Sequence, residues 1–304
     1  MNSLGRGRAD HGSVGARAAA DVAYLSGSMF ADGVSDPRDA ADLLAFDQLV
    51  VPEAAEWSRF LIGAIATHLL VHEAPADILD DAKAQWLIAA LAPAGRMESA
   101  RGMPLLLRLM EGAREVSPLL PAFALRQLGM AVITGEGPVA AGRAHFTRTV
   151  DDADVALMRR LLIAGGGGQG GPVSRAEADA LFDIHDATLE GRNDPGFAPL
   201  FVRAIEQHLR AASGQRVAAR GAALAASANG AHLAIEKLAA AGYQPDLASL
   251  VGPAPLAAAP ARWLAERLLR DGRISPSGHA LKRLIVADGA DAGDSLRALL
   301  DRAA

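Results

Sequence analysis

The sequence predicts an all-α fold, and three observations predict it. Apolar residues recur at steps of three and four through most of the 304 residues. Glycine-containing breaks such as ADG, APAG, GGGGQGG, RNDPG and RDG cut that periodicity into helix-sized pieces. The chain is 51% apolar yet only 4% aromatic, which suits helices packed through small residues better than a β-sandwich. No convincing strand pair stands out, and the pattern predicts roughly twelve helices.

Residues 1–18 are basic and glycine-rich without an apolar stretch, so they read as a disordered lead-in and not as a secretory signal. From Ala20 a helix, the turn FADGVS and an acidic helix start lead to Phe46-Asp47. Trp57, Phe60, Leu61, Ala64, Ile65, His68 and Leu69 then share one helical face. ILDDAKAQWLIAALA carries Trp86, and SPLLPAFALRQLGMAVI ends the first unit, 19–134. Residues 135–150 are polar and glycine-containing and read as a linker. The second unit, 151–304, opens with DDADVALMRRLLIA and SRAEADALFDIHDA, followed by a helix bearing Phe197, Leu200, Phe201, Ala204, Ile205, His208 and Leu209. An Ala/Gly/Pro-rich insertion at about 211–258 contains one helical pattern around His232 to Ala240. The Trp263 helix and DSLRALLDR complete the chain.

The two units read as copies. Trp86 to Ala113 and Trp263 to Ala290 align without a gap and share eight identities in 28 positions. Order is kept: Phe46-Asp47, His68, Trp86 and Gly95 in one, Phe182-Asp183, His208, Trp263 and Gly272 in the other. The expectation is a tandem duplication of one helical unit, with the insertion elaborating the second copy.

The turns FADGVSDPRDA, GGGGQGGPVSRAEA and LRDGRISPSGHA share a pattern: a glycine corner, Val or Ile, Ser, then a new helix. Glycine permits the left-handed helix end, the aliphatic residue enters the core, and Ser caps the next helix, with Glu177 completing a capping box to Ser174. These turns resemble those of the tellurite-resistance TerB-like helical domains. The first departs from that pattern in that Val34 follows Gly33 directly. The layout is also similar to alphaproteobacterial proteins that carry segments like SRAEADALFDIHDA and LFVRAI. The resemblance implies a helical, non-catalytic module linked to envelope or metal stress, and it brings no catalytic residue with it.

Several chemistries are excluded. Cysteine is absent, so there is no disulfide, thiolate metal site or cysteine nucleophile. A net charge of −5 gives no field for nucleic acid. No apolar run reaches the roughly 18–20 residues of a membrane span. The glycine run at 165–171 lacks the Lys-Ser/Thr of a phosphate loop and reads as a flexible turn. The turns offer too few oxygens for calcium.

The remaining candidates are polar groups on apolar stripes. His68 and His72, four apart with Glu73 adjacent, form a weak metal-ligand pattern on one helical face. Asp47 with His68, and Asp183 with His208, hold equivalent positions and read as Asp–His pairs that lock two helices together. His185 and Asp186 add polar groups in the second unit alone. The expected function is a cytoplasmic, non-enzymatic interaction or regulatory scaffold that needs no cofactor and whose partner is another protein. One alternative is a metal-dependent or acid–base enzyme using Asp183, His185, Asp186 and His208. Another is a membrane-surface adaptor acting through the insertion.

Overall fold

The computed structural model describes residues 24, 34, 36–47, 55–141, 143, 146–225, 256–270 and 274–286. The expected N-terminal lead-in, the His232–Ala240 helix and the DSLRALLDR helix lie outside the described residues. Within them the protein is all-α. The helices are α1 (Pro37–Asp47), α2 (Ala55–Thr67), α3 (Asp81–Leu91), α4 (Gly102–Gly112), α5 (Leu119–Thr134), α6 (Asp152–Ala164), α7 (Arg175–Ala187), α8 (Phe197–Ala212), α9 (Arg220–Ala225), α10 (Ala258–Leu269) and α11 (Pro276–Val286). A π-helical turn, His68–His72, follows α2, and a 3-10 turn, Pro138–Ala140, lies between α5 and α6. Two strands, β1 (Ile78–Leu79) and β2 (Glu115–Val116), pair in parallel with Ile78 opposite Glu115. A pairing this short carries no periodicity for a sequence reading to find.

Local chemistry sets the helix starts. Ser174 and Glu177 form the expected capping box, each side chain bonding the other's backbone N–H. Asp151 and Asp154 form another at α6, and Asp80 caps α3 through the Lys83 N–H. In the first turn the cap is Asp36, whose carboxylate accepts from the N–H groups of Arg38 and Asp39. These bonds hold the Asp36 carboxyl below its ordinary range.

Helix α5 is the axis of the molecule. Its buried residues include Leu120, Phe123, Ala124, Leu125, Leu128 and Val132, and it packs on α3, α4, α6 and α7. Gly129 lets α7 approach closely, since a Cβ there would stand 3.2 Å from Ile184 Cγ1. One hydrophobic cluster therefore runs from Leu43 and Trp57 in the first half through α5 to Phe201 and Trp263 in the second. The Trp-bearing helices α3 and α10 flank it, α3 against α1 and α5, α10 against α8 and α11.

Candidate functional site

The His68–His72 pattern falls in a π turn, not in a regular α-helical turn. The segment closes as a π turn, with the Glu73 N–H donating to the His68 carbonyl across five residues. Within this turn His68 is buried, 1% exposed, and His72 is exposed. His68 Nε2 lies 3.6 Å from Glu73 Oε2, and His72 Nδ1 lies 3.2 Å from the Val34 carbonyl. Burial holds the His68 imidazole below its ordinary pKa against the pull of Glu73. No group of three or more His, Asp or Glu among the described residues is placed to hold a metal.

What organises this end is a lysine that no motif announced. Lys83 is buried, and its Nζ lies 2.7, 2.9, 2.8 and 3.0 Å from the carbonyls of Leu69, Glu73, Pro75 and Ile78, so its three N–H groups are shared among four acceptors. One ammonium thus gathers the backbone between α2 and β1. Burial pushes its pKa down, while Asp80, Glu73 and Asp77 pull it up.

The two expected Asp–His locks are replaced by other partners. Asp47, 3% exposed, accepts from Trp57 Nε1 at 2.7 Å, from Arg101 Nη1 at 3.0 Å and from the Ser99 hydroxyl. Asp183 faces solvent and pairs with Arg267 and Arg270 at 2.9 and 3.2 Å. The difference follows from the aligned sequence. Where the first half has Trp57 and Arg101, the second has Phe197 and Gly278, which offer Asp183 neither indole N–H nor guanidinium. His208 instead places Nδ1 2.9 Å from the Val173 carbonyl, and its ring meets the Trp263 edge with centroids 5.2 Å apart. His68 meets Trp86 in the same edge-on manner at 6.5 Å. Burial lowers the His208 pKa and favours its neutral form.

His185 and Asp186 do come together, with Nδ1 to Oδ1 at 3.0 Å. His185 stacks flat on Phe201, centroids 4.2 Å apart, and its Nε2 lies 3.1 Å from Ser275 Oγ. Ser275 Oγ also accepts the Gly278 N–H and so caps α11. The chain Asp186–His185–Ser275 has the polarity of a nucleophile relay. Beside it, however, the recess lined by Phe182, Leu189, Ile274 and Ser275 has a volume of only about 10 Å³. That is about the volume of one water. The Asp186 Oδ2 atom, buried with no hydrogen-bond partner among the described residues, suits such a water. Through Ser275 the chain ties the start of α11 to α7.

Two concavities lie on the two sides of the glycine loop 165–171. This loop is not the slack spacer its composition suggests. Gly168 N–H bonds the Ala113 carbonyl, and Gly171 N–H bonds the Gly166 carbonyl. Gly167 has φ +60°, and a Cβ there would stand 2.8 Å from the Arg114 carbonyl oxygen, so the backbone approach itself requires glycine. Arg220 fastens the other side. Its Nε and two Nη groups donate to the carbonyls of Gly171, Leu162 and Pro172 and to both carboxylate oxygens of the fully buried Glu177. All five guanidinium N–H groups are occupied.

One groove, about 430 Å³, runs between α4 and α6 and is lined by Met110, Glu111, Ala156, Arg159, Arg160 and Ile163, with Gly167 and Gly168 at its end. The other, about 450 Å³, lies between the loop and α8 and is lined by Val116, Pro118, Val173, Arg175, His208 and Ala212 among others. Of the Asp, His and Glu residues singled out in the sequence as candidate site residues, His208 alone lines one of these grooves. Lys83 left a faint signal, since it stands four and eight residues before Leu87 and Leu91 on the buried stripe of α3. Arg220 left none, because it sits in an alanine-rich stretch without period.

No helix among the described residues is long and apolar enough to cross a membrane. Comparison with protein-family models, with curated proteins and with solved structures returned no match.

Proposed function

We propose that this protein is a non-enzymatic interaction scaffold built from two related TerB-like helical units, with the grooves beside the glycine loop as its binding surfaces. The observation that carries the reading is the loop itself: a fixed ridge, clasped by Arg220, with a concavity of several hundred Å³ on each side. Grooves of this size, mainly apolar with a few polar groups, are the usual form of a recognition site. One repeated detail supports relatedness of the halves: each buries a His ring against the edge of a Trp, His68 against Trp86 and His208 against Trp263. A role in envelope or metal stress rests on the family resemblance, and a cytoplasmic location is the default reading of the sequence.

The test is affinity capture from native extract with the full chain and two groove variants, Ala156→Glu and Ala212→Glu. Both positions are exposed on helices, so the substitutions block a groove without burying a charge. At least one variant is expected to lose partners that the native chain recovers. Identical recoveries from all three chains would end the reading. A serine-directed fluorophosphonate probe should leave Ser275 unlabelled; labelling there would move the protein to the acyl-transfer enzymes.

A further inference from the structure

The two grooves differ in one respect that bears on what they bind. In the groove beside α8 every cation is already engaged. Arg175 pairs with Asp179 and lies 4.4 Å over the Trp263 ring, and Arg220 has spent all its donors. In the groove between α4 and α6, Arg159 is different. Its Nε is buried with no hydrogen-bond partner among the described residues, and the side chain forms part of the lining. An unbonded buried guanidinium N–H is costly, and a ligand oxygen would repay it.

The surrounding charges favour an anion. Glu111, the acidic residue of the lining, is held by Arg160 through two bonds of 2.5 and 3.0 Å. That pairing keeps the Glu111 carboxyl below its ordinary range, so its charge is present but matched by Arg160. Arg108, exposed, adds positive potential at Glu111, which leaves Arg159 uncompensated. Asp152 lies on the same stripe of α6 beyond the lining. The rest of the groove is aliphatic: Met110, Ala156, Ile163 and Ala164.

Resting on the scaffold reading, we infer that the groove between α4 and α6 is a docking site for a partner peptide that presents a carboxylate beside aliphatic side chains, with Arg159 as its anchor. A carboxylate matches the guanidinium fork, and the aliphatic neighbours match the walls. A phosphate on a flat basic surface would call for several free cations, and the lining supplies one.

The probe is a set of fluorescein-labelled peptides of about 12 residues, three helical turns of Ala and Leu carrying two Glu, with Gln and Lys counterparts. Binding to the full chain is read by fluorescence anisotropy. The Glu peptide should bind about tenfold tighter than its Gln counterpart, and the gap should shrink in high salt. Arg159→Gln should erase the Glu-over-Gln preference, Arg159→Lys should keep part of it, and Arg175→Gln in the other groove should leave it intact. Thermal melts of the variants separate loss of the anchor from loss of fold. Equal binding of Glu and Gln peptides, no binding of either, or a preference that survives Arg159→Gln would overturn the inference. The scaffold reading would still stand if Ala212→Glu alone lost captured partners, so the two fail separately.

Discussion

At the scale of single residues, Lys83 is the clearest case of a side chain acting as an organiser of backbone. Four carbonyls between Leu69 and Ile78 converge on its Nζ. Lys83→Met keeps the length and apolar stem of the side chain and removes the ammonium. Unpaired carbonyls then remain where α2, the π turn and β1 meet, at a cost of about 2–4 kcal/mol. Urea denaturation is the direct measurement, and a loss under about 0.5 kcal/mol would mean that the carbonyls find water instead. Lys83→Arg should not restore the native value, because a planar fork cannot point donors at four oxygens around one centre. Asp47 makes the complementary point. Its position on an apolar helix end marks it as buried, but the sequence gives no reason to prefer Trp57 and Arg101 over His68 as its partners. Burial follows from periodicity, which is local; partner identity depends on tertiary placement, which is not.

At the scale of elements, helix ends and capping boxes are legible because their chemistry spans three or four residues, as at Ser174–Glu177 and Asp151–Asp154. The glycine loop is the counterexample. Seven residues that read as slack are held by a helix 49 positions further along the chain, where Arg220 reaches the Gly171 carbonyl. Short-range pattern carries no trace of such a tie. Helix α9 is only six residues long, so Arg220 contributes more as a clasp than the helix does through its own propensity. Replacing Arg220 with Met strands Glu177, which is 0% exposed, without its cation. The expected loss is about 3–5 kcal/mol, as for other buried pairs broken on one side. The double variant Arg220→Met/Glu177→Gln should recover part of it. Amide exchange locates the effect: under conditions where exchange proceeds by local opening, Gly168 and Gly171 should exchange at least about tenfold faster in Arg220→Met, by a larger factor than the α5 amides. Uniform acceleration across the molecule would show that the clasp holds no local unit.

At the scale of the whole molecule, the core is one body traversed by α5, and a histidine is sealed into each half of it. His68 packs against Trp86 and His208 against Trp263, and burial lowers both pKa values. Near His68 the charges are Glu73, His72 and Asp36; near His208 they are Arg175, Asp179 and Glu177. The order of the Trp helices and the His stripes was readable in the sequence, which is why the duplicated layout suggested itself; that the buried imidazoles must stay neutral follows only from their enclosure. The sign of the pH effect comes from that enclosure. Above about pH 6.5 the imidazoles are neutral folded or unfolded, and they add no slope. As pH falls below that value the unfolded chain takes up protons before the folded one, so stability declines until the depressed folded pKa values are reached. Each histidine limits its share of the slope to about 1.4 kcal/mol per pH unit. Unfolding free energies measured by urea titration between about pH 8 and pH 5.5 should therefore be level at first and then fall. In His68→Gln/His208→Gln the absolute stability will differ, but the slope below about pH 6.5 should flatten. A native slope that is already flat there, or one unchanged by the double substitution, would place the acid sensitivity of this fold elsewhere than in the imidazoles of His68 and His208.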